Sequence, residues 1–206
     1  MRTSRIAFTI LELLVVMAII MILAAVTMPA LSSTLQGAKV TQGTQAVLDQ
    51  LTLARQSALA QNRAIETRIY SYIDPSAPGG RKAYRAIQNF ALQDDGTAKP
   101  LDRMRKLPPE IILDSSAPLS SLLGAARAKQ WTALDPQITL PTVGTTYDTS
   151  VILFRPDGST DLSANGQSWF LTLHSENMGD NLAALPKNFA LIQIDPWTGR
   201  TYVFRP

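Results

Sequence analysis

The chain begins with a short basic leader, Met1-Arg-Thr-Ser-Arg-Ile-Ala7, and continues as Phe8-Thr-Ile-Leu-Glu12-Leu-Leu-Val-Val-Met-Ala-Ile-Ile-Met-Ile-Leu-Ala-Ala-Val-Thr-Met-Pro29. The apolar run from Ile10 to Leu31 would measure about 33 Å as a helix, which is enough to cross a bilayer. A single carboxylate, Glu12, interrupts the start of this run. A charge within a membrane segment is costly, so Glu12 is a candidate functional residue.

The order of leader and apolar run differs from that of a secretory signal peptide. A signal peptide places a shorter apolar region before its small-residue cleavage site, whereas the candidate site here, between Ala7 and Phe8, precedes the apolar run. Cleavage there would leave the hydrophobic helix at the mature N-terminus. Arg2 and Arg5 favour a cytoplasmic leader, so we expect the C-terminal part to be exported.

These residues resemble the prepilin leader of type IV pilins and type II secretion pseudopilins, in which a short basic leader precedes Phe-Thr-Leu-Ile-Glu-Leu-Leu. The matching residues are Phe8-Thr-Ile-Leu-Glu12-Leu-Leu14, and Ala7 replaces the usual Gly. The resemblance implies that a prepilin peptidase cleaves between Ala7 and Phe8 and that Phe8 is then N-methylated. It also implies that Pro29 bends the helix.

The resemblance further implies an assembly role for Glu12, which would pair with the free amine of Phe8 on a neighbouring subunit. Two charges that are each costly in hydrocarbon become tolerable once they are paired. The alternative is that Glu12 is a chance acid in an ordinary signal anchor, and that the protein stays in the membrane without assembling.

The composition limits the chemistry of the rest of the chain, roughly 150 residues that we expect to form one soluble domain. There is no cysteine, which excludes disulfides, thiolate metal sites and cysteine nucleophiles. The formal net charge is +3, and Arg2 and Arg5 of the leader supply two of these charges. The charge is therefore weak evidence for a nucleic-acid partner.

The hydrophobic periodicity predicts a helix to residue 62 and then a β-rich region. A helical stripe is followed from Ile65 by period-two alternation. The predicted domains are the leader 1–7, the helix 8–62 with 8–31 in the membrane, and an extracytoplasmic domain 63–206 with an insertion around 115–150. The stripe is Val40, Val47, Leu51, Ala54 and Ala58; the predicted strands are Ile65–Ile73, Ala83–Gln93, a short strand ending at Leu113, Val151–Phe154, Ser168–His174, Phe189–Ile194 and Thr201–Phe204, with a helix at Leu119–Trp131 in the insertion.

This order of elements predicts an α+β, pilin-like fold with a long N-terminal transmembrane helix and an antiparallel, β-rich soluble domain. Three later motifs resemble those of GspH/FimT-type minor pseudopilins: Leu53-Ala-Arg55-Gln, Phe154-Arg-Pro-Asp-Gly158 and Thr198-Gly199-Arg200. A combination of four motifs most resembles the Verru_Chthon cassette protein D family, whose members carry prepilin-type N-termini: Leu11-Glu12-Leu-Leu, Leu53-Ala-Arg-Gln, Leu107-Pro and Phe154-Arg-Pro-Asp-Gly-Ser-Thr-Asp-Leu162. No motif covers the predicted insertion.

We expect neither an enzyme nor a cofactor or metal site. The only histidine, His174, ends an apolar strand and is predicted to be a partly exposed structural residue. Ser159, Asp157 and His174 suggest a catalytic triad on paper, but Pro156-Asp-Gly158 is typical of a turn. Glu66 and Glu110 look like isolated acids, and Asp94-Asp95-Gly96 lacks the spacing of a calcium loop.

The predicted function is that of a minor pilin or pseudopilin, anchored once in the inner membrane with its C-terminal domain in the periplasm. Its implied partners are the prepilin peptidase, other pilins or pseudopilins and the inner-membrane assembly platform. The alternative is a DNA-binding or adhesive tip pilin. Trp197, in a tight hairpin turn, and the nearby Arg200 and Arg205 are the candidate partner contacts.

Overall fold

The computed structural model describes residues 9–76 and 80–206, and for residues 26–33 it describes the backbone alone. One long helix precedes nine strands that all pair antiparallel, which confirms the predicted α+β class. The elements are α1 (Ile10–Gln61), β1 (Ile65–Ile73), β2 (Lys82–Leu92), β3 (Ala98–Pro100), β4 (Arg105–Lys106), β5 (Ile111–Leu113), β6 (Asp148–Phe154), β7 (Trp169–Ser175), β8 (Phe189–Ile194) and β9 (Thr201–Phe204).

The chain divides into two compact units, and the boundary falls inside α1, between Ala38 and Lys39. Among the residues that the structure describes, no helix combines the length and the apolar character needed to cross a membrane. The predicted membrane segment, residues 8–31, extends beyond the part whose side chains are described.

The strands form one sheet in the order β6-β1-β2-β5-β7-β8-β9, and the short strands β3 and β4 pair with β2. The predicted strands at Ile65–Ile73, Phe189–Ile194 and Thr201–Phe204 have the observed bounds, and the others are shifted or extended by a few residues. β3 and β4 were not predicted, because they are too short to show an alternating pattern.

The C-terminal half of α1 packs on one face of this sheet. All five residues of the predicted stripe are buried there, which confirms that the stripe faces the domain's own core. Gly43 allows close approach, because a Cβ at this position would lie 3.0 Å from Cγ2 of Ile111. The contact also has a polar part, since the Asn89 side-chain amide donates to both the backbone and side-chain carbonyls of Gln50 at 2.9 Å.

Residues from the predicted insertion cover the opposite face of the sheet. Leu140 and Tyr147 form a second buried cluster with Tyr70, Tyr72 and Ala86. β1 is therefore buried on both faces, although its alternating sequence is typical of a strand with one solvent-exposed face.

The predicted helix at Leu119–Trp131 is wrong, since only a three-residue 3₁₀ helix, Ala125–Arg127, forms within it. The segment instead bonds to β7. The hydroxyls of Ser120 and Ser121 accept from the backbone N–H groups of Thr172 and Phe170 at 3.1 and 3.0 Å. Serine bonding of this kind competes with helix formation.

A buried ionic cluster fastens this covering layer to β1. The Arg68 guanidinium donates to Glu66 and to Asp135, each at 2.5 Å, and Lys129 contacts the same two carboxylates at 2.8 and 2.6 Å. The guanidinium also lies 3.8 Å from the centre of the Phe90 ring. Burial acts to raise the pKa of Asp135, but the bonds from Arg68 and Lys129 hold it below its ordinary value.

The expectation that Glu66 and Glu110 are isolated acids is therefore wrong. Glu66 belongs to the buried cluster, and Glu110 pairs with Lys39 on α1 at 2.7 Å. Sequence spacing alone could not reveal the second pair, because its partners lie 71 positions apart.

The helix stripe gives the first prediction. We expect the fragment Lys39–Pro206 to fold without the preceding residues, and Leu51→Asp to destabilise it by more than about 3 kcal/mol, because Leu51 is fully buried and the carboxylate would have no partner. Leu53→Asp is the matched control on the partly exposed side of the helix and should cost less than about 1 kcal/mol. Equal urea midpoints for the two variants would show that the packing assignment is wrong.

The ionic cluster gives the second prediction. Asp135→Asn should lower the free energy of unfolding by about 3 kcal/mol or more, because it leaves Arg68 and Lys129 short of a buried counter-charge. Asp148→Asn, which removes an exposed partner of Lys82, should cost less than about 1 kcal/mol.

Comparing wild type with Asp135→Asn at several pH values also tests how the stabilisation by Asp135 depends on pH. Because the pKa of Asp135 is lowered in the folded state, its stabilisation is present above the unfolded value of about 3.9 and is lost as the pH falls through the folded value. The difference between wild type and Asp135→Asn in urea should therefore shrink on acidification. A difference that stays constant would contradict the ion-pair account.

Candidate functional site

The first described residues form a helix cap around Glu12. One oxygen of its carboxylate, Oε2, accepts from both the backbone N–H and the hydroxyl of Thr9 at 2.9 Å, while the Thr9 hydroxyl accepts from the Glu12 N–H at 3.2 Å. This reciprocal pattern is a capping box, and it satisfies backbone N–H groups that a helix start leaves free. The spacing Thr9-x-x-Glu12 is its sequence signature, which the sequence interpretation did not use.

The first turns of α1 present apolar side chains in every direction. In the isolated chain they are exposed, and a helix that is apolar all round requires burial in a membrane or among other helices. The exposed large side chains are Ile10, Leu11, Leu13, Leu14, Val15, Val16, Met17, Ile19, Ile20, Met21, Ile22 and Leu23.

Three of the predicted processing and assembly residues lie outside what the structure describes. Ala7 and Phe8 precede the first described residue, and Pro29 falls in the stretch described by backbone alone. Cleavage at Ala7, methylation of Phe8 and a bend at Pro29 therefore remain predictions.

The hairpin between β8 and β9 carries Trp197 on a fixed turn. Asp195 shapes the turn, since its carboxylate accepts from the Trp197 N–H at 2.9 Å. Gly199 has a left-handed φ of 61° and lies so close to Gly158 and Arg55 that a Cβ would collide with the Gly158 carbonyl. Arg55 on α1 donates to the Thr198 carbonyl at 2.6 Å, so the helix end holds the turn while the Trp197 ring remains 75% exposed.

The two arginines assigned to the same candidate contact lie apart. Arg200 adjoins the turn, whereas Arg205 follows the other end of β9. Because the chain between them is extended, the five residue steps from Arg200 to Arg205 separate the two by about 17 Å. The Arg205 guanidinium donates to the hydroxyl of Thr41 at 2.9 Å. A partner contact through Trp197, Arg200 and Arg205 stays a prediction, and the structure does not gather the three into one basic patch.

His174 is structural but fully buried, so the prediction of partial exposure is wrong. Its ring nitrogens lie 2.9 Å from the Ser175 carbonyl and from Oδ2 of Asp114. Burial acts to raise the pKa of Asp114, but hydrogen bonds from Ser116 and then His174 hold it below its ordinary value. The long β7 strand places His174 opposite Ile112, inside the sheet.

Ser159, Asp157 and His174 do not come together as a catalytic triad. The Asp157 carboxylate accepts from the backbone N–H and hydroxyl of Ser159 at 2.9 and 2.7 Å, which closes a turn, while His174 is committed to Asp114. Within residues 9–76 and 80–206, no group of three or more histidine or carboxylate side chains is arranged to hold a metal ion.

Residues 2–28 match the prokaryotic N-terminal methylation motif. Among curated proteins, none matches the sequence of this chain.

Two solved structures share an overall likeness with the chain, and both are of the minor pseudopilin EpsH from the type 2 secretion system of Vibrio cholerae. One is 10% identical with a TM-score of 0.44 and covers 82% of this chain and 98% of its own. The other is 13% identical with a TM-score of 0.43 and covers 82% and 96%.

The methylation motif is the finding that bears on function. Together with the apolar first turns of α1 and the antiparallel domain that follows, it supports a structural subunit of the pilin or pseudopilin class.

Proposed function

We propose that this chain is a minor pilin or pseudopilin, built by its N-terminal helix into a type II secretion or type IV pilus-like fibre. The observation that carries the proposal is the match of residues 2–28 to the methylation motif. Glu12 lies within this motif and in the first turn of an apolar helix. Motifs of this kind imply a prepilin peptidase and other pilin-class subunits as partners.

The proposal includes one membrane crossing, with the leader in the cytoplasm, the β-rich domain in the periplasm and an inner-membrane assembly platform as the site of incorporation. Arg2 and Arg5 support this orientation. Among related families, the motifs of the sequence favour the Verru_Chthon cassette protein D family.

Glu12 is the residue on which assembly would depend. Thr9 occupies Oε2, and within the described part of the chain Oε1 accepts no hydrogen bond. The carboxylate can therefore cap its own helix and still offer an oxygen to the Phe8 amine of a neighbouring subunit. Pairing the two charges would offset the cost of placing each in an apolar fibre core.

A second candidate function is adhesion or DNA binding through the β8–β9 hairpin. It is favoured by the exposure of Trp197 on a turn that Arg55 holds in place. The separation of Arg200 from Arg205 weakens the DNA form of this proposal, because phosphate binding needs a run of cations along the strand.

The third prediction concerns processing. The mature protein extracted from membranes should begin at N-methylated Phe8, because Ala7 is small and the apolar helix follows it directly. Intact-mass measurement checks this, and Ala7→Gly should speed leader removal. A main membrane pool that retains Met1 would contradict the proposal.

The fourth prediction separates the two roles of Glu12. Glu12→Ala should insert and be processed normally but fail to join the fibre, because the incoming Phe8 amine would have no counter-charge. Glu12→Gln keeps a cap acceptor without the charge and should fail as well, whereas Glu12→Asp, one methylene shorter, should be partly functional. Crosslinking to fibre partners at matched membrane levels gives the measurement.

Thr9→Ala is the matched control for this experiment, since it removes the cap and leaves the charge. Loss of the cap should cost about 1 kcal/mol of helix stability and leave incorporation largely intact. If Glu12→Gln joins the fibre as well as wild type does, Glu12 acts only as a cap and the charge-pairing role is wrong.

A further inference from the structure

Three neighbouring cations of the domain lack the carboxylate partners that many of its other cations have. Arg103, Arg105 and Lys106 are exposed, and no carboxylate among the described residues forms an ion pair with any of them. The paired cations are Lys39, Arg63, Arg68, Lys82, Arg85, Arg127 and Lys129. The sequence interpretation missed the cluster because Met104 interrupts it and the acidic Asp102 precedes it.

These three cations line a groove of about 700 Å³. Met104 lies among them, and Ile138, Leu140 and Pro141 also contribute aliphatic surface. The groove therefore combines an apolar surface with three cations that have no ion-pair partner among the described residues.

Both walls of this groove are held by the fold. β4 pairs with β2, where Arg105 lies opposite Ile87 and Lys106 opposite Ala86. In the other wall, the Tyr147 hydroxyl donates to the Ile138 carbonyl at 2.6 Å, and Leu140 packs in the second buried cluster. The groove is therefore a built feature of the domain.

Asp102 also lines the groove and carries the opposite charge. Its Oδ1 accepts from the backbone N–H of Asn89 at 3.1 Å, and its Oδ2 is closed to solvent. The Asp102 carboxylate is therefore held against β2, and its oxygens do not form part of the surface that a ligand would contact.

A peptide with acidic and aliphatic side chains matches both the charge and the apolar surface of the groove. Its acidic side chains would pair with the cations, and its aliphatic side chains would contact Met104 and Leu140. A nucleic-acid backbone brings phosphate acceptors alone, and among the described residues no aromatic ring on which a base could stack lines the groove.

We propose that this groove binds an extended segment of another protein in which acidic and aliphatic residues alternate. The proposal goes beyond fibre assembly and does not depend on it, because the groove lies wholly in the domain that follows Lys39. Charge complementarity identifies the partner's chemistry, and an alternating segment presents its two kinds of side chain on opposite faces.

The experiment uses the full chain in non-ionic detergent and the fluorescent peptide Glu-Val-Glu-Val-Glu-Val as probe. Fluorescence anisotropy should show saturable binding to wild type, and Arg103→Gln with Arg105→Gln should weaken it about tenfold or more. Lys99→Gln with Lys187→Gln is the matched control, because it removes two exposed positive charges that do not line the groove and should leave affinity within about twofold.

Two further probes decide the class of ligand. The peptide Gln-Val-Gln-Val-Gln-Val should not bind, and single-stranded DNA of equal charge should not displace the acidic peptide. The proposal is overturned by absence of binding, by equal weakening in the two double variants, by equal binding of the glutamine peptide, or by displacement with DNA.

Discussion

The structure depends on the burial of one helix face against one face of an antiparallel sheet. Val47, Leu51, Ala54 and Ala58 carry little polar surface, and each becomes fully inaccessible where α1 meets the sheet. Apolar burial of this kind is the main favourable term in folding. Small residues are important here as well, since Gly43 lets the helix backbone lie close to Ile111 of β5 and Leu173 of β7.

Three sequence motifs that are individually weak share one structural role at the end of this helix. Arg55, Gly158 and Gly199 come from the helix, the turn after β6 and the β8–β9 hairpin, yet they meet at one point. A side chain at Gly199 would collide with the Gly158 carbonyl, and Arg55 supplies the charged donor for the hairpin carbonyl. The motifs therefore describe a structural joint that fixes both turns to the helix.

Sequence periodicity predicted the parts of the fold whose pattern is local. β1, β8 and β9 alternate over four or more residues, and the stripe on α1 repeats with the helical period, so each was found. The segment around Leu119 was misjudged because Leu122 and Leu123 join the main core without a helix and the neighbouring serines bond to β7. The sequence likewise could not show that Glu66 meets Lys129, or His174 meets Asp114, across the fold.

At the candidate assembly site, the Glu12 carboxylate caps its own helix and is also the group proposed to pair with a neighbouring subunit. A neutral glutamine could also cap the helix, and the negative charge of Glu12 adds only about 0.3–1 kcal/mol through the helix dipole. A charge in hydrocarbon costs about 2.5–3.5 kcal/mol, which exceeds this gain, so capping alone does not account for a carboxylate before an apolar run. Thr9 bonds only to Oε2, and within the described part of the chain Oε1 accepts no hydrogen bond. An amine at the N-terminus of a neighbouring subunit would both bond to this oxygen and cancel the charge, if the two members of the pair entered the apolar core together.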